Sequence, residues 1–139
     1  MKVCVLGTGS AGNATLIEAG GTRILVDAGF SGREIERRLG EIGLTAESIH
    51  AIVITHDHRD HTRGAGVFSR RHGTPVYITD RTRIACSGIF RDTEPLRAYQ
   101  AGRVFDVGAI RVEPFLTVHD AADPVAVALF KPPGAYGVD

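Results

Sequence analysis

No stretch of apolar residues in this sequence approaches the roughly 20 that a membrane-spanning helix needs, so a transmembrane helix is excluded. Cysteine is scarce. Cys4 and Cys86 are the only two, and they lack the paired spacing of a zinc knuckle or a disulfide scaffold. They read as reduced, buried thiols of a cytoplasmic protein. The opening Met1-Lys2-Val3-Cys4-Val5-Leu6-Gly7 is too short for a secretory signal and suits a first strand. Net charge is absent as well: 16 basic residues balance 16 acidic ones, so no global electrostatic argument favours nucleic acid. Lysine is almost missing, and arginine supplies the positive charge apart from Lys2 and Lys131. No repeat, linker or low-complexity tract interrupts the chain. Its 139 residues, 43% hydrophobic, suit one domain with a modest core.

Short β-branched runs and glycines set the expected order of elements. Residues 2–6 read as a strand. Residues 14–18 and 22–26 follow as a hairpin around Ala19-Gly20-Gly21. Ser31-Gly32-Arg33-Glu34 matches a capping box, and Ile35, Leu39 and Ile42 continue at helical spacing, so a helix is expected over 32–42. A buried strand over 51–55, a helix over 62–71 and a strand over 74–79 come next. Then comes a helix over 80–86 with Asp80 as N-cap. Strands over 103–107, 110–118 and 125–130 complete the pattern, with a loop at 119–124 and a final turn into a strand. Strands interleaved with helices imply layers of sheet and helix.

The run Thr55-His56-Asp57-His58-Arg59-Asp60-His61 follows the apolar Ile52-Val53-Ile54. Imidazole and carboxylate suit zinc and also serve manganese or iron. In extended chain His56 and His58 share a face and Asp57 points elsewhere. The adjacent Asp60 and His61 diverge toward a neighbouring position. One loop can thus address two metal sites, the arrangement that activates a bridging water at phosphorus. His119 opens a loop after a strand, as His56 does, and is the candidate third ligand. His50 and His72 have structural settings instead. Asp27 ends the apolar strand Ile24-Leu25-Val26, placed either to orient a ligand imidazole or to cap the next turn.

Gly7-Thr8-Gly9-Ser10-Ala11-Gly12 spells a dinucleotide fingerprint, with Asp27 twenty residues after Gly7. The third glycine should open a helix, yet a hairpin follows, so nucleotide binding is disfavoured. A tight loop near the site is expected, with Ser10 or Asn13 placed to hydrogen-bond a substrate. Arg63, Arg70, Arg71, Arg81 and Arg83 form a group suited to phosphates or to a solvated surface.

These residues carry a resemblance. His56-Asp57-His58-Arg59-Asp60-His61, with Val26-Asp27-Ala28-Gly29 and His119, resembles the metallo-β-lactamase superfamily. Leu6-Gly7-Thr8-Gly9-Ser10-Ala11-Gly12-Asn13-Ala14 and Val118-His119-Asp120-Ala121-Ala122-Asp123-Pro124 resemble its bacterial YycJ/WalJ-like branch. The resemblance spans essentially the whole chain. It implies an α/β (α+β) fold, the αβ/βα sandwich of two similar halves. It implies a hydrolase using a metal-bound hydroxide and, in the branch, a cytoplasmic 5′-to-3′ exonuclease on DNA. By the same resemblance His56, His58 and His119 form the first metal site. Asp60 and His61 form part of the second, and Asp60 is also catalytic through orienting the nucleophile. Two divalent ions, zinc or manganese, are expected in the full family site.

The family also uses a later bridging aspartate and a final histidine. No histidine follows His119 here, and the later aspartates are Asp120, Asp123 and Asp139. Residues 1–139 thus read as one such domain, incomplete at the C-terminus, keeping two ions or only one. Uncovered apolar strands would favour homo-oligomers. The alternatives are a hydrolase of a small thioester, lactone or lactam, and a catalytically incomplete metal-binding fragment.

Overall fold

Gly20 and Gly21 both take positive φ, 54° and 79°, the pairing that a two-residue hairpin turn requires. In the computed structural model, which describes residues 1–117 and 125–132, this turn joins β2 (Ala14–Ala19) to β3 (Thr22–Val26). The first strand, β1 (Lys2–Gly7), pairs antiparallel with β2. Strands β4 (Ala51–Val53), β5 (Val76–Ile78) and β6 (Leu96–Ala98) then add in parallel, giving a six-stranded sheet in the order β1-β2-β3-β4-β5-β6. Strands β7 (Phe105–Val107), β8 (Ile110–Leu116) and β9 (Val125–Phe130) form a separate antiparallel sheet.

Alternation along the strands builds two cores, one on each face of the large sheet. Leu25, Ile52, Val76 and Ile78 face the helices α1 (Gly32–Glu41), α3 (Ala65–His72) and α4 (Asp80–Ala85). Ile35, Leu39 and Phe68 are fully buried there. Each such side chain contributes about 1.5–3 kcal/mol by leaving water. Ile24, Ala51 and Val53 face the other way, against Ile110, Val112 and Val125 of the second sheet. The unbroken apolar run at 51–54 is therefore a strand buried on both sides. Three layers result: helices, mixed sheet, antiparallel sheet.

The structure differs from the sequence reading in local details. The helix expected over 62–71 is two pieces, α2 (Arg59–Thr62) and α3. Gly64 separates them: its N–H donates to Ala28 O (2.8 Å), and a Cβ there would lie 2.0 Å from Phe30 O. Thr79, not Asp80, caps α4, its side chain accepting from Thr82 N. The capping box of α1 is half formed. Ser31 Oγ accepts from Glu34 N, while the Glu34 carboxylate receives Arg37 and Arg38. Strand β6 was not anticipated, because three residues beside Pro95 carry no periodic signal. The expected loop at 119–124 and the final strand lie outside the described residues.

Arg70 is also not where phosphate binding would need it. Its Nη1 pairs at 2.8 Å with Glu94, whose side chain is fully buried. Burial disfavours the Glu94 charge. The N–H groups of Arg91 and Thr93 and the Arg70 guanidinium outweigh that cost and hold the carboxyl below the ordinary glutamate range. A lowered folded pKa contributes stability above the unfolded value of about 4.3, and this is lost as pH falls through the folded value. We expect Glu94→Gln to cost about 2 kcal/mol at neutral pH. The gap in urea midpoint between it and the parent should narrow as pH falls below the unfolded glutamate value of about 4.3. A gap independent of pH would contradict the charged role of Glu94.

Candidate metal centre

Strands β3 and β4 are parallel neighbours, in register at Val26 and Val53, and both chains leave the sheet at the same edge. Ligand sites in parallel sheets form at this carboxyl edge. Asp27 turns the chain there with φ 66°, a left-handed conformation that aspartate tolerates better than most residues. Its N–H donates to Val53 O at 2.8 Å. The turn drives its carboxylate, 6% exposed, beneath the histidine loop.

Both oxygens of Asp27 are spent. Oδ1 accepts from Thr55 N at 2.8 Å, and Oδ2 accepts from Thr55 Oγ1 at 2.7 Å. His61 Nδ1 lies 2.6 Å from the same Oδ2. Thr55 Oγ1 also sits 2.9 Å from His56 Nδ1. A threonine hydroxyl has one proton, and the carboxylate takes it, so His56 must donate its Nδ1–H to Thr55. His61 likewise donates Nδ1–H to Asp27. Both imidazoles are thereby set in the tautomer whose Nε2 carries the lone pair, the form a metal needs. Burial lowers the His61 pKa, but the Asp27 hydrogen bond and the charges of Asp27 and Asp60 prevail and hold it above the usual histidine value.

The His56 ring centroid lies 3.8 Å from that of His61 and 5.1 Å from that of His58. Asp27, His56 and His61 each offer one ligand atom within 4.8 Å of the others. Both Asp27 oxygens are engaged, and the carboxylate holds the His61 ring directly and reaches His56 through Thr55. Asp60 and His61 do not diverge as expected. They lie on the helical turn α2, and Asp60 Oδ2 comes within 3.9 Å of His61 Nε2. His119, Asp120, Asp123 and Asp139 lie outside the described residues. His50 accepts from Arg23 N (2.9 Å) and His72 pairs with Glu36, so both stand apart from the centre.

Two contributions went unread in the sequence. Thr55 relays Asp27 to His56. Asn13, with Ser10 one of two candidates to hydrogen-bond a substrate, holds Asp60: its backbone N donates to Asp60 O at 2.7 Å, and its Nδ2 reaches Asp60 Oδ2 at 3.1 Å. Gly29 permits this approach, because a Cβ there would stand 1.7 Å from Asp60 O. Cys86 is no nucleophile. Burial, reinforced by the Asp57 charge, pushes its thiol up to about 11.

The donor set fits a divalent ion: imidazoles with engaged Nδ1 atoms beside a carboxylate held by an amide. Asp27→Asn keeps an oxygen for Thr55 N but cannot accept from both His61 and the Thr55 hydroxyl. We expect zinc affinity to fall about 10–100-fold, measured by chelator competition, with the circular dichroism spectrum retained. Unchanged affinity would remove Asp27 from the orienting role.

The family model of the Metallo-beta-lactamase superfamily matches residues 7–133. Exodeoxyribonuclease WalJ of Streptococcus pneumoniae serotype 2 is 35% identical over 127 residues, 88% of this chain and 47% of that protein. Exodeoxyribonuclease YycJ of Bacillus anthracis is 35% identical over 126 residues, 89% of this chain and 48% of that protein. The chain spans about half the length of the curated relatives it matches. BJP-1, a subclass B3 metallo-beta-lactamase of Bradyrhizobium japonicum, superposes with a TM-score of 0.78 at 19% identity, covering 96% of this chain and 55% of that one. That likeness speaks for the fold, with its helix-backed mixed sheet. Fold, histidine loop and family match agree, and the chain belongs to the metallo-β-lactamase superfamily.

Proposed function

We propose that this chain carries part of the active centre of a metal-dependent phosphodiester hydrolase acting on DNA. The observation that carries the reading is one buried carboxylate, Asp27, that engages His61 directly and His56 through Thr55. The exodeoxyribonuclease names of two relatives at 35% identity support DNA as the substrate. In this reading His56, His58 and His119 hold one ion, and Asp60 and His61 contribute to a second. A divalent ion bound there, zinc or manganese, supplies Lewis acidity and makes water a stronger acid.

The chain's own residues do the positioning. Asn13 holds Asp60 against the 9–12 loop, which places that carboxylate to orient the attacking water. Thr55 and Asp27 keep the imidazoles from rotating. The hydrogen bond between Asp27 and His61 also restrains that ring when no metal is bound. No helix among the described residues is long and apolar enough to cross a membrane. We place the protein in the cytoplasm, where Cys4 and Cys86 stay reduced. Exposed Phe115 and Leu116 on β8 offer a surface for association with a second copy.

The test combines metal content and cleavage. After dialysis, plasma mass spectrometry should find roughly one to two equivalents of metal in the parent and less in His58→Ala. Release of nucleotides from an end-labelled DNA strand with added manganese should fall at least about 100-fold in Asp60→Ala. Cleavage that survives chelation, or metal absent from both proteins, would sink the reading.

A further inference from the structure

We infer that the small pocket between the 9–12 loop and α2 is a phosphate subsite. It holds about 130 Å³ and is lined by Ser10, Ala11, Gly29, Arg59, Asp60 and Arg63. That is well below the roughly 300–1,000 Å³ of pockets that enclose drug-sized ligands, so it suits a phosphate group and not a nucleoside.

The charge is arranged for an anion. Arg59 and Arg63 are four residues apart, and Arg63 N donates to Arg59 O at 3.0 Å, so both side chains rise from one face of the turn. Both are exposed. Among the described residues neither guanidinium forms an ion pair, whereas Arg23, Arg37, Arg38, Arg70, Arg71 and Arg111 all do. Two planar guanidinium forks on one wall match the oxygens of a phosphate. Asp60 also lines the pocket, but its Oδ2 is engaged by Asn13 and turned toward His61, and two cations outweigh it.

The opposite wall is built to stay put. The Asn13 amide closes on both Gly9 N (3.1 Å) and Gly9 O (2.8 Å), and Gly12 N donates to Gly9 O. The exposed Ser10 rides on this closed loop and can donate its hydroxyl. The glycine-rich motif thus gains a role without a dinucleotide: its backbone comes close to the metal-binding turn and leaves a phosphate-sized gap. Because Asp60 borders both the gap and the histidine cluster, a phosphate held here lies beside the reacting one. The inference rests on the nucleic-acid reading above. It leaves two sources for the anion, the terminal phosphate of a strand and an internal diester.

The experiment is fluorescence anisotropy of the full chain in chelator with a 3′-labelled single strand, either 5′-phosphorylated or 5′-hydroxyl. Arg59→Ala/Arg63→Ala should bind at least about tenfold more weakly. Its slope of log affinity against log salt should be shallower by about 0.7 for each arginine lost. Arg103→Ala, an exposed arginine ahead of β7 and outside the pocket, should bind as the parent does. A preference for the phosphorylated strand, lost in the double variant, assigns the terminal phosphate; equal binding of the two strands assigns the diester. Parent-like binding by the double variant, or equal weakening by Arg103→Ala, overturns the subsite. Binding is read without metal, so failure of cleavage alone would count against the hydrolase and not against the pocket.

Discussion

The buried carboxylate of Asp27 is the constraint on which the centre depends. A carboxyl group on a residue only 6% exposed needs hydrogen-bond partners, because burying it without them is costly. Asp27 meets that demand with the Thr55 amide, the Thr55 hydroxyl and the His61 ring. Each partner is fixed in return. The same bonds that satisfy the charge determine the tautomers of His56 and His61, so stability and metal readiness come from one group.

Close backbone approach is the second requirement. The histidine turn is not held by side chains alone. Ala28 N donates to His61 O, Gly64 N to Ala28 O, and Gly29 N to Asn13 O, so three loops share one backbone mesh. Gly29 and Gly64 stand where any Cβ would collide with a carbonyl, at 1.7 and 2.0 Å respectively. The mesh lies over the carboxyl edge of a sheet buried on both faces, whose apolar strands provide a base with little freedom to shift.

Arginines divide by environment. Arg37 and Arg38 on α1, Arg70 and Arg71 on α3 and Arg23 in the hairpin are committed to acids, as with Arg70 and buried Glu94. Most of the exposed pairs are worth little to stability, whereas the Glu94 pair closes the 91–94 loop around a buried charge. Arg59 and Arg63 form no ion pair among the described residues and share one pocket wall beside Asp60. A neutral overall charge therefore conceals a local positive wall next to the histidines.

Much of the fold was legible in the sequence. Gly20-Gly21 specified a hairpin because only that turn uses two positive φ values cheaply, and Ser31 specified a helix start. The density of histidine and aspartate at 56–61 marked the centre because so many ligating side chains in six residues serve no packing purpose. Less was legible where distant segments decide the outcome. The break at Gly64 answers to Phe30 O, strand β6 exists through pairing with β5, and Arg70 is claimed by a residue 24 positions away. The sequence by itself determined that ligand-type side chains crowd residues 56–61 and that they follow a buried strand. Only the tertiary structure decided that Asp27 lies beneath them, that Thr55 passes its influence to His56, and that Asp60 and His61 converge. Those facts depend on parallel pairing of β3 with β4, a contact between segments 27 residues apart that no local periodicity encodes.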